Sequence, residues 1–381
     1  MKRVLHWTLF GLLMLLGGCA SPTGPTTPPA TPELDAGVWN AVATGGDTAC
    51  ADGSKYGFFA YAGKTNKLVI DFRGGGACWN YFTCSQPSRP GRSGGYYFNQ
   101  VFGPPNGLDG KNRGIYDHDN AANPVKDWYH VHIPYCTGDI HYGENIKTYM
   151  DPQGPDVTVQ HKGAVNTRAV LDWVYKEFEA PEEIFVTGCS AGAYGSILWT
   201  PYLEQHYPKA KIHQLGDCGA GVITPEFAQE ATANWNVDAA LPDFVPGLDP
   251  KTELVFGVDF TQKLYQKIAQ AYPNSTFSQY NTVFDSTQIG FYSLMRGQAP
   301  GEVGLEWSQK MQASLATIRA GASNFTSFTD DLKKAGDPPN ATQHCAIIYD
   351  DLYTAEQGGV KLTDWLTTLL SGTTPAPVGV Q

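Results

Sequence analysis

Glycines two residues either side of a serine, between an apolar run and a helix-compatible run, leave a chain few ways to fold. In Val186-Thr187-Gly188-Cys189-Ser190-Ala191-Gly192 the strand-like residues 183–187 lead into that serine. Residues 194–207 read as a helix after it, with Pro201 as the point where it kinks or ends. A turn this sharp brings strand and helix backbones together, so side chains two positions from the serine would collide. The serine is pushed into a strained conformation with its hydroxyl proud of the sheet. The helix that follows adds free N–H groups and a partial positive charge beside it. With 42 glycines in the chain the five-residue pattern alone is weak; strand before and helix after make it specific.

The rest of the body alternates in the same way. Residues 67–72, 128–135 and 212–217 are short apolar runs of strand character. Residues 162–178 carry Ala164, Leu171, Val174 and Phe178 on one helical stripe, and Pro181 stops the pattern. Strands alternating with helices predict an α/β fold with a mostly parallel sheet and helices on both faces. Residues 222–278 fit the rhythm poorly and contain Trp235, Pro242, Phe244, Pro246, Pro250 and Phe260. They read as a cap insertion over the site, or as a helical excursion with no role there.

A lone serine is a weak nucleophile at neutral pH and needs a base. In α/β hydrolases with this turn the chain order is Ser, acid, His. Among the histidines, only His344 follows Ser190 with room for a late acid between them. Asp285 and Asp217 both qualify as the acid that orients it, the first closing a strand-like run from residue 276, the second ending the strand at 212–216. Asp330 and Asp331 sit in a charged, helix-like stretch and read as solvated. Phe72-Arg73-Gly74-Gly75-Gly76-Ala77 follows a strand and has the form of an oxyanion loop, with Gly75 and Gly76 offering N–H groups beside that of Ala191. No Gly-Lys-[Ser/Thr] follows it, so a phosphate cradle is disfavoured.

Taken in order, these motifs resemble the pectin acetylesterase family, which includes Notum-like deacylases. Gly74-Gly75-Gly76-Ala77-Cys78 with Cys84 resembles the family's Gly-Gly-Gly-Trp-Cys and the cysteine after it. Tyr135-Cys136-Thr137-Gly138-Asp139 resembles Tyr-Cys-Asp-Gly. Gly188-Cys189-Ser190-Ala191-Gly192 matches Gly-Cys-Ser-Ala-Gly. Asp285-Ser286-Thr287-Gln288-Ile289 resembles Asp-Ser-Trp-Gln-Ile, and His344-Cys345 matches His-Cys. The resemblance runs from about 57 to 349 and implies an α/β-hydrolase-like serine esterase. It implies Asp285 rather than Asp217 as the acid, with Ser190, Asp285 and His344 as the catalytic set. Ala77 and Thr287 stand where the family has Trp, so acyl and alcohol preferences are open. The expected substrate is acylated, chiefly acetylated, carbohydrate such as pectin. The alternatives are a lipid- or protein-linked acyl ester and a surface lipoprotein that binds glycan without turnover.

The N-terminus adds an expectation about place. Lys2 and Arg3, an apolar run at 9–16 and Gly17-Gly18-Cys19 read as an export signal over 1–18, and 16–19 resembles a lipobox with Cys19 as the acylated residue. A Pro/Thr-rich tether follows to about 33, the catalytic domain spans 34–371, and 372–381 reads as a flexible tail. The expected location is the cell envelope, with the membrane engaged through the lipid and retention at the outer membrane if the source is Gram-negative. A net charge of −11 without a basic patch argues against nucleic acid. Without Cys19 an odd number of the eight cysteines remains, with Cys78 and Cys84 a plausible local pair. His130, His132, Asp139 and His141 could form a metal cluster, but hydrogen-bonded histidines at a strand end are the preferred reading. No metal or organic cofactor is expected. Trp79, Tyr81, Phe82, Trp128, Trp235, Phe291 and Tyr292 are candidates for a sugar- or acyl-binding wall, or for core.

Overall fold

The computed structural model describes residues 31–88, 94–105, 113–151, 153–251, 253–333 and 341–379. Cys19, the leader and the tether up to residue 30 lie outside the described residues.

Eight strands build the main sheet: β1 (Trp39–Ala43), β2 (Gly57–Tyr61), β3 (Lys67–Phe72), β4 (Tyr129–Ile133), β5 (Glu183–Cys189), β6 (Lys211–Asp217), β7 (Thr276–Thr282) and β8 (Phe325–Asp330). Their spatial order is β1-β2-β4-β3-β5-β6-β7-β8. From β4 to β8 every neighbouring pair is parallel, and β1 and β2 form an antiparallel edge. The central strands β3 and β5 are apolar on both faces because both faces are covered.

Strand alternation divides the core. Leu68, Ile70, Ile184, Val186 and Ile212 point to one face, where they meet α1 (Gly163–Glu177), α2 (Ala191–His206), α4 (Phe260–Ala271) and α6 (Pro300–Gly321). The remaining principal helices on that side are α3 (Pro225–Trp235) and α5 (Ser286–Arg296). Val69, Phe185, Leu215, Tyr280 and Phe328 point the other way. There α7 (Leu362–Leu370) and the segment around Ala346 and Ile347 cover them. The two faces are therefore covered unequally, one by a layer of helices and the other by the nine-residue α7, short helical turns and loops. Pro201 lies inside α2, which nonetheless runs on to His206.

The irregular stretch between β6 and β7 consists of α3, a 3-10 turn at Val237–Ala240, a loop and α4, and β7 begins at Thr276. Two expectations need correction. Asp330 is not solvated or helical. It ends β8 with 2% exposure and accepts a hydrogen bond from Tyr280 Oη at 2.8 Å. Burial pushes its carboxyl up to about 6. The C-terminal tail is not loose through 379: Val378 bridges Phe328, and Val378 N donates to Ser327 O while Thr329 N donates to Val378 O. The open edge of β8 offered unpaired backbone groups, and the tail takes them.

Among the described residues three disulfides join Cys50 to Cys136, Cys78 to Cys84, and Cys189 to Cys345, and Cys218 is a buried free thiol.

Candidate active site

Ser190 is the single residue between the end of β5 and the start of α2. Its backbone, at φ 60° and ψ −123°, lies in a region that side chains rarely occupy. Crowding keeps it there. A Cβ on Gly192 would sit 1.9 Å from Phe72 O, and one on Gly188 would sit 2.4 Å from Gly192 O. Ser190 N donates to Asp217 O at 2.8 Å, which ties the turn to the end of β6.

His344 and Asp285 come from opposite sides of a chain crossing. Asp285 is the N-cap of α5, and its Oδ1 accepts Thr287 N at 3.0 Å and Gln288 N at 2.9 Å. Gln288 Nε2 donates to Asp285 Oδ2 at 3.0 Å. Phe284 and Thr342 then bond reciprocally, Thr342 N to Phe284 O and Phe284 N to Thr342 Oγ1, which brings the His344 loop alongside. His344 Nδ1 lies 2.8 Å from Asp285 Oδ2 and 3.0 Å from Oδ1. Burial of the ring opposes its charging, but the Asp285 carboxylate, by charge and hydrogen bond, and the charge of Asp217 outweigh it. The imidazole pKa is raised from its ordinary value. His344 Nε2 is buried without a hydrogen-bond partner, and no hydrogen bond joins it to Ser190. Both residues line one cavity. Such contacts commonly tighten only when substrate is bound.

The triple-glycine loop leaves β3 and passes against the serine turn. A Cβ on Gly74 would meet Ser190 Cβ at 2.7 Å, and Gly76 turns back with φ +79° against Tyr96 O. Phe98 N bonds to Gly75 O and Ala77 N to Tyr96 O, which pins the loop. Gly76 and Ala191 line the same cavity as Ser190 and His344, and Gly75 does not.

The cavity itself is apolar. Ile140, Tyr142, Val222, Ile223, Phe227, Phe256, Phe260, Phe291, Met295 and Trp307 line it, together with Ala77 and Thr287. Residues from α3, α4 and the loop between them thus form one wall. Of the aromatic residues offered as candidates for a sugar- or acyl-binding wall, only Phe291 lines it. Trp79 packs behind Phe227, Trp235 and Trp128 are core, and Phe82 is 55% exposed. The free space is about 80 Å³, against the ~10–15 Å³ that one water-sized group requires.

His130, His132, Asp139 and His141 do not form one cluster. His132 Nδ1 is 2.5 Å from Asp71 Oδ2, which also accepts Tyr116 Oη. Asp139 holds Gly163 N at the start of α1, and His141 Nε2 bonds to Arg73 O. Burial keeps His141 down at about 4.

Two features of the site escaped the sequence reading. The Cys189–Cys345 disulfide joins the residue before Ser190 to the residue after His344. That adjacency was a visible signal, since each cysteine flanks a candidate catalytic residue. Asp217, the other candidate acid, does not touch the imidazole; its carboxylate accepts backbone N–H groups of Ala346 and Ile347.

A comparison with known families finds that the pectinacetylesterase family profile matches residues 38–292. Pectin acetylesterase 11 of Arabidopsis thaliana is 29% identical over 186 residues, 47% of this chain and 44% of that protein. Pectin acetylesterase 5 of the same plant is 24% identical over 183 residues, 46% of this chain and 40% of its own. The matched regions thus span less than half the length of these plant relatives. Among solved structures, the Wnt deacylase Notum from Drosophila superposes with a TM-score of 0.59 at 16% identity, covering 88% of this chain and 92% of that one. That likeness shows a shared α/β-hydrolase-type fold.

Proposed function

The chain belongs to the pectinacetylesterase family, and from that membership we propose that it is a serine hydrolase of O-acyl esters. The observation that carries this reading is the Asp285–His344 pair facing the cavity that also holds Ser190, Gly76 and Ala191. Ser190 Oγ attacks the acyl carbon while His344 Nε2 takes its proton. Asp285 fixes the tautomer that carries hydrogen on Nδ1 and offsets the charge of the imidazolium that forms. The N–H groups of Gly76 and Ala191 receive the oxyanion. Collapse expels the alcohol, which takes the proton from His344, and water then releases the acid from the acyl-enzyme by the same steps.

The family favours acetyl groups on carbohydrate as the substrate. A second reading has its own support: the cavity is lined mainly by apolar side chains and holds more than an acetyl methyl. Each methylene moved from water into such a chamber is worth about 0.8 kcal/mol, or roughly fourfold in kcat/KM. Nitrophenyl esters from acetyl to octanoyl, with acetate release from acetylated polysaccharides alongside, decide between them. We expect turnover on this panel, rising by about threefold to fourfold per methylene until the chamber is full. A flat or falling series with acetate release from polysaccharide returns the acetyl reading. No turnover on any ester would leave a glycan-binding protein.

We further propose that the protein is exported and held at the cell envelope by acylated Cys19. The lipobox-like residues 16–19 motivate this, and three disulfides suit an oxidising compartment. Expressed in a bacterium, the wild type should partition into detergent and Cys19→Ser into the aqueous phase. Equal partitioning of the two would defeat the proposal.

A further inference from the structure

Asp217 joins the two halves of the site, and it does so with both its backbone and its side chain. It ends β6 directly beside Cys189 in the parallel register. Its main-chain oxygen accepts Ser190 N at 2.8 Å. Its Oδ2 accepts Ala346 N and Ile347 N, each at 3.0 Å. Cys345 Sγ lies 3.7 Å from Asp217 O, and the Cys189–Cys345 bond spans the same two segments. One residue therefore fixes the serine turn and the two residues that follow His344-Cys345.

Packing alone does not call for a carboxylate at this position. Asp217 is fully buried with no cation bonded to it, and burial pushes its carboxyl up to about 7 despite the N–H groups it accepts. A group this costly to bury needs a compensating role. The 345–347 segment supplies one. It leaves the site as a buried, non-helical loop, and without Asp217 the N–H groups of Ala346 and Ile347 lose the acceptor they share. His344 is the residue whose position depends on that loop. Its imidazole is held by Asp285 at one end only, and Nε2 must still meet Ser190.

We propose that Asp217 is a positioning residue, a carboxylate clamp that holds the His344 loop in register with the Ser190 turn. The proposal rests on the esterase reading above. It predicts a kinetic signature, because a base displaced by about 1 Å can cost 10²-fold in rate without altering how substrate enters the cavity.

The test pairs Asp217→Asn with Asp217→Leu. Asparagine keeps one oxygen for the two N–H groups, and leucine fills a similar volume with none. Active sites are titrated with a fluorophosphonate so that rates refer to folded enzyme. Asp217→Leu is expected to lose about 10–100-fold in kcat with KM within about twofold. Asp217→Asn should recover to within about fivefold of wild type. Amide hydrogen exchange gives a readout independent of turnover: Ala346 and Ile347 should lose protection in the leucine variant and keep it in the asparagine variant. Should the leucine variant not fold, Asp217→Ala takes its place under the same criteria. Wild-type kcat in a folded variant lacking the acceptor would overturn the proposal, as would unchanged protection at Ala346 and Ile347. If wild type itself turns over no ester, the esterase reading fails, and the exchange data still decide whether the clamp exists.

Discussion

Ser190→Ala is expected to lower kcat/KM on any ester that wild type turns over by about 10⁵–10⁶-fold, and to abolish fluorophosphonate labelling. The size of the loss follows from what remains. His344 would have no hydroxyl to deprotonate, and the oxyanion donors could assist only attack by water, which leaves a residual ~10³–10⁴-fold over the uncatalysed reaction. Ser190→Gly separates chemistry from folding. At φ 60°, ψ −123°, alanine inherits the strain of the turn and glycine escapes it. The alanine variant should match wild type in stability, whereas the glycine variant should gain about 1 kcal/mol, the relief of 1–3 kcal/mol of strain less the entropy of an added glycine. Thermal unfolding together with ester turnover reads both. A glycine variant less stable than wild type would contradict the strained turn, and labelling that survives in the alanine variant would place the nucleophile elsewhere.

The serine turn and the glycine loop were legible because sterics wrote them locally. Crowding at Gly188 and Gly192 allows no side chain, so the motif stands out once a strand precedes it and a helix follows. The strands β3, β5 and β6 were legible because both faces of a parallel sheet demand apolar runs. Residues whose roles depend on distant partners were less legible: chain order singled out His344, and only the family resemblance chose Asp285 over Asp217. Asp285 and Asp217 each end or follow a strand and look alike along the chain. What separates them is that one caps α5 beside an imidazole and the other meets the backbone of a loop more than a hundred residues later. Asp330 misled for the same reason. Its neighbours Asp331 and Lys333 are charged, but its own side chain turns inward to Tyr280. The wall-or-core alternative stayed open for the aromatic residues because aromatic content does not reveal direction, and Phe227, Phe256 and Phe260 face the cavity only after α3 and α4 fold over it.

Asp285→Asn should lower kcat by about 10⁴-fold while leaving the fold almost untouched. Asp285 has two jobs, and asparagine performs only one. As N-cap of α5 it accepts Thr287 N and Gln288 N through one oxygen, and asparagine caps a helix about as well as aspartate. As partner of His344 it must accept a proton-bearing Nδ1 and stabilise the imidazolium that forms when Ser190 gives up its proton. An amide nitrogen facing Nδ1 selects the opposite tautomer, with the proton on Nε2 and none to spare at Nδ1. The pH profile reports the same loss. In wild type the raised pKa of His344 means that the base is protonated, and activity falls, as pH drops through a value above 6.5. With the Asp285 charge removed, burial acts with less opposition and the pKa moves down, so the acid limb of the residual activity should shift to lower pH. Asp285→Ala should show the same kinetic defect plus about 1 kcal/mol of lost stability from the missing cap. Stability and kcat falling together in the asparagine variant would mean that Asp285 serves only the fold. An acid limb that stays in place would mean that His344 is not the group whose protonation the profile records.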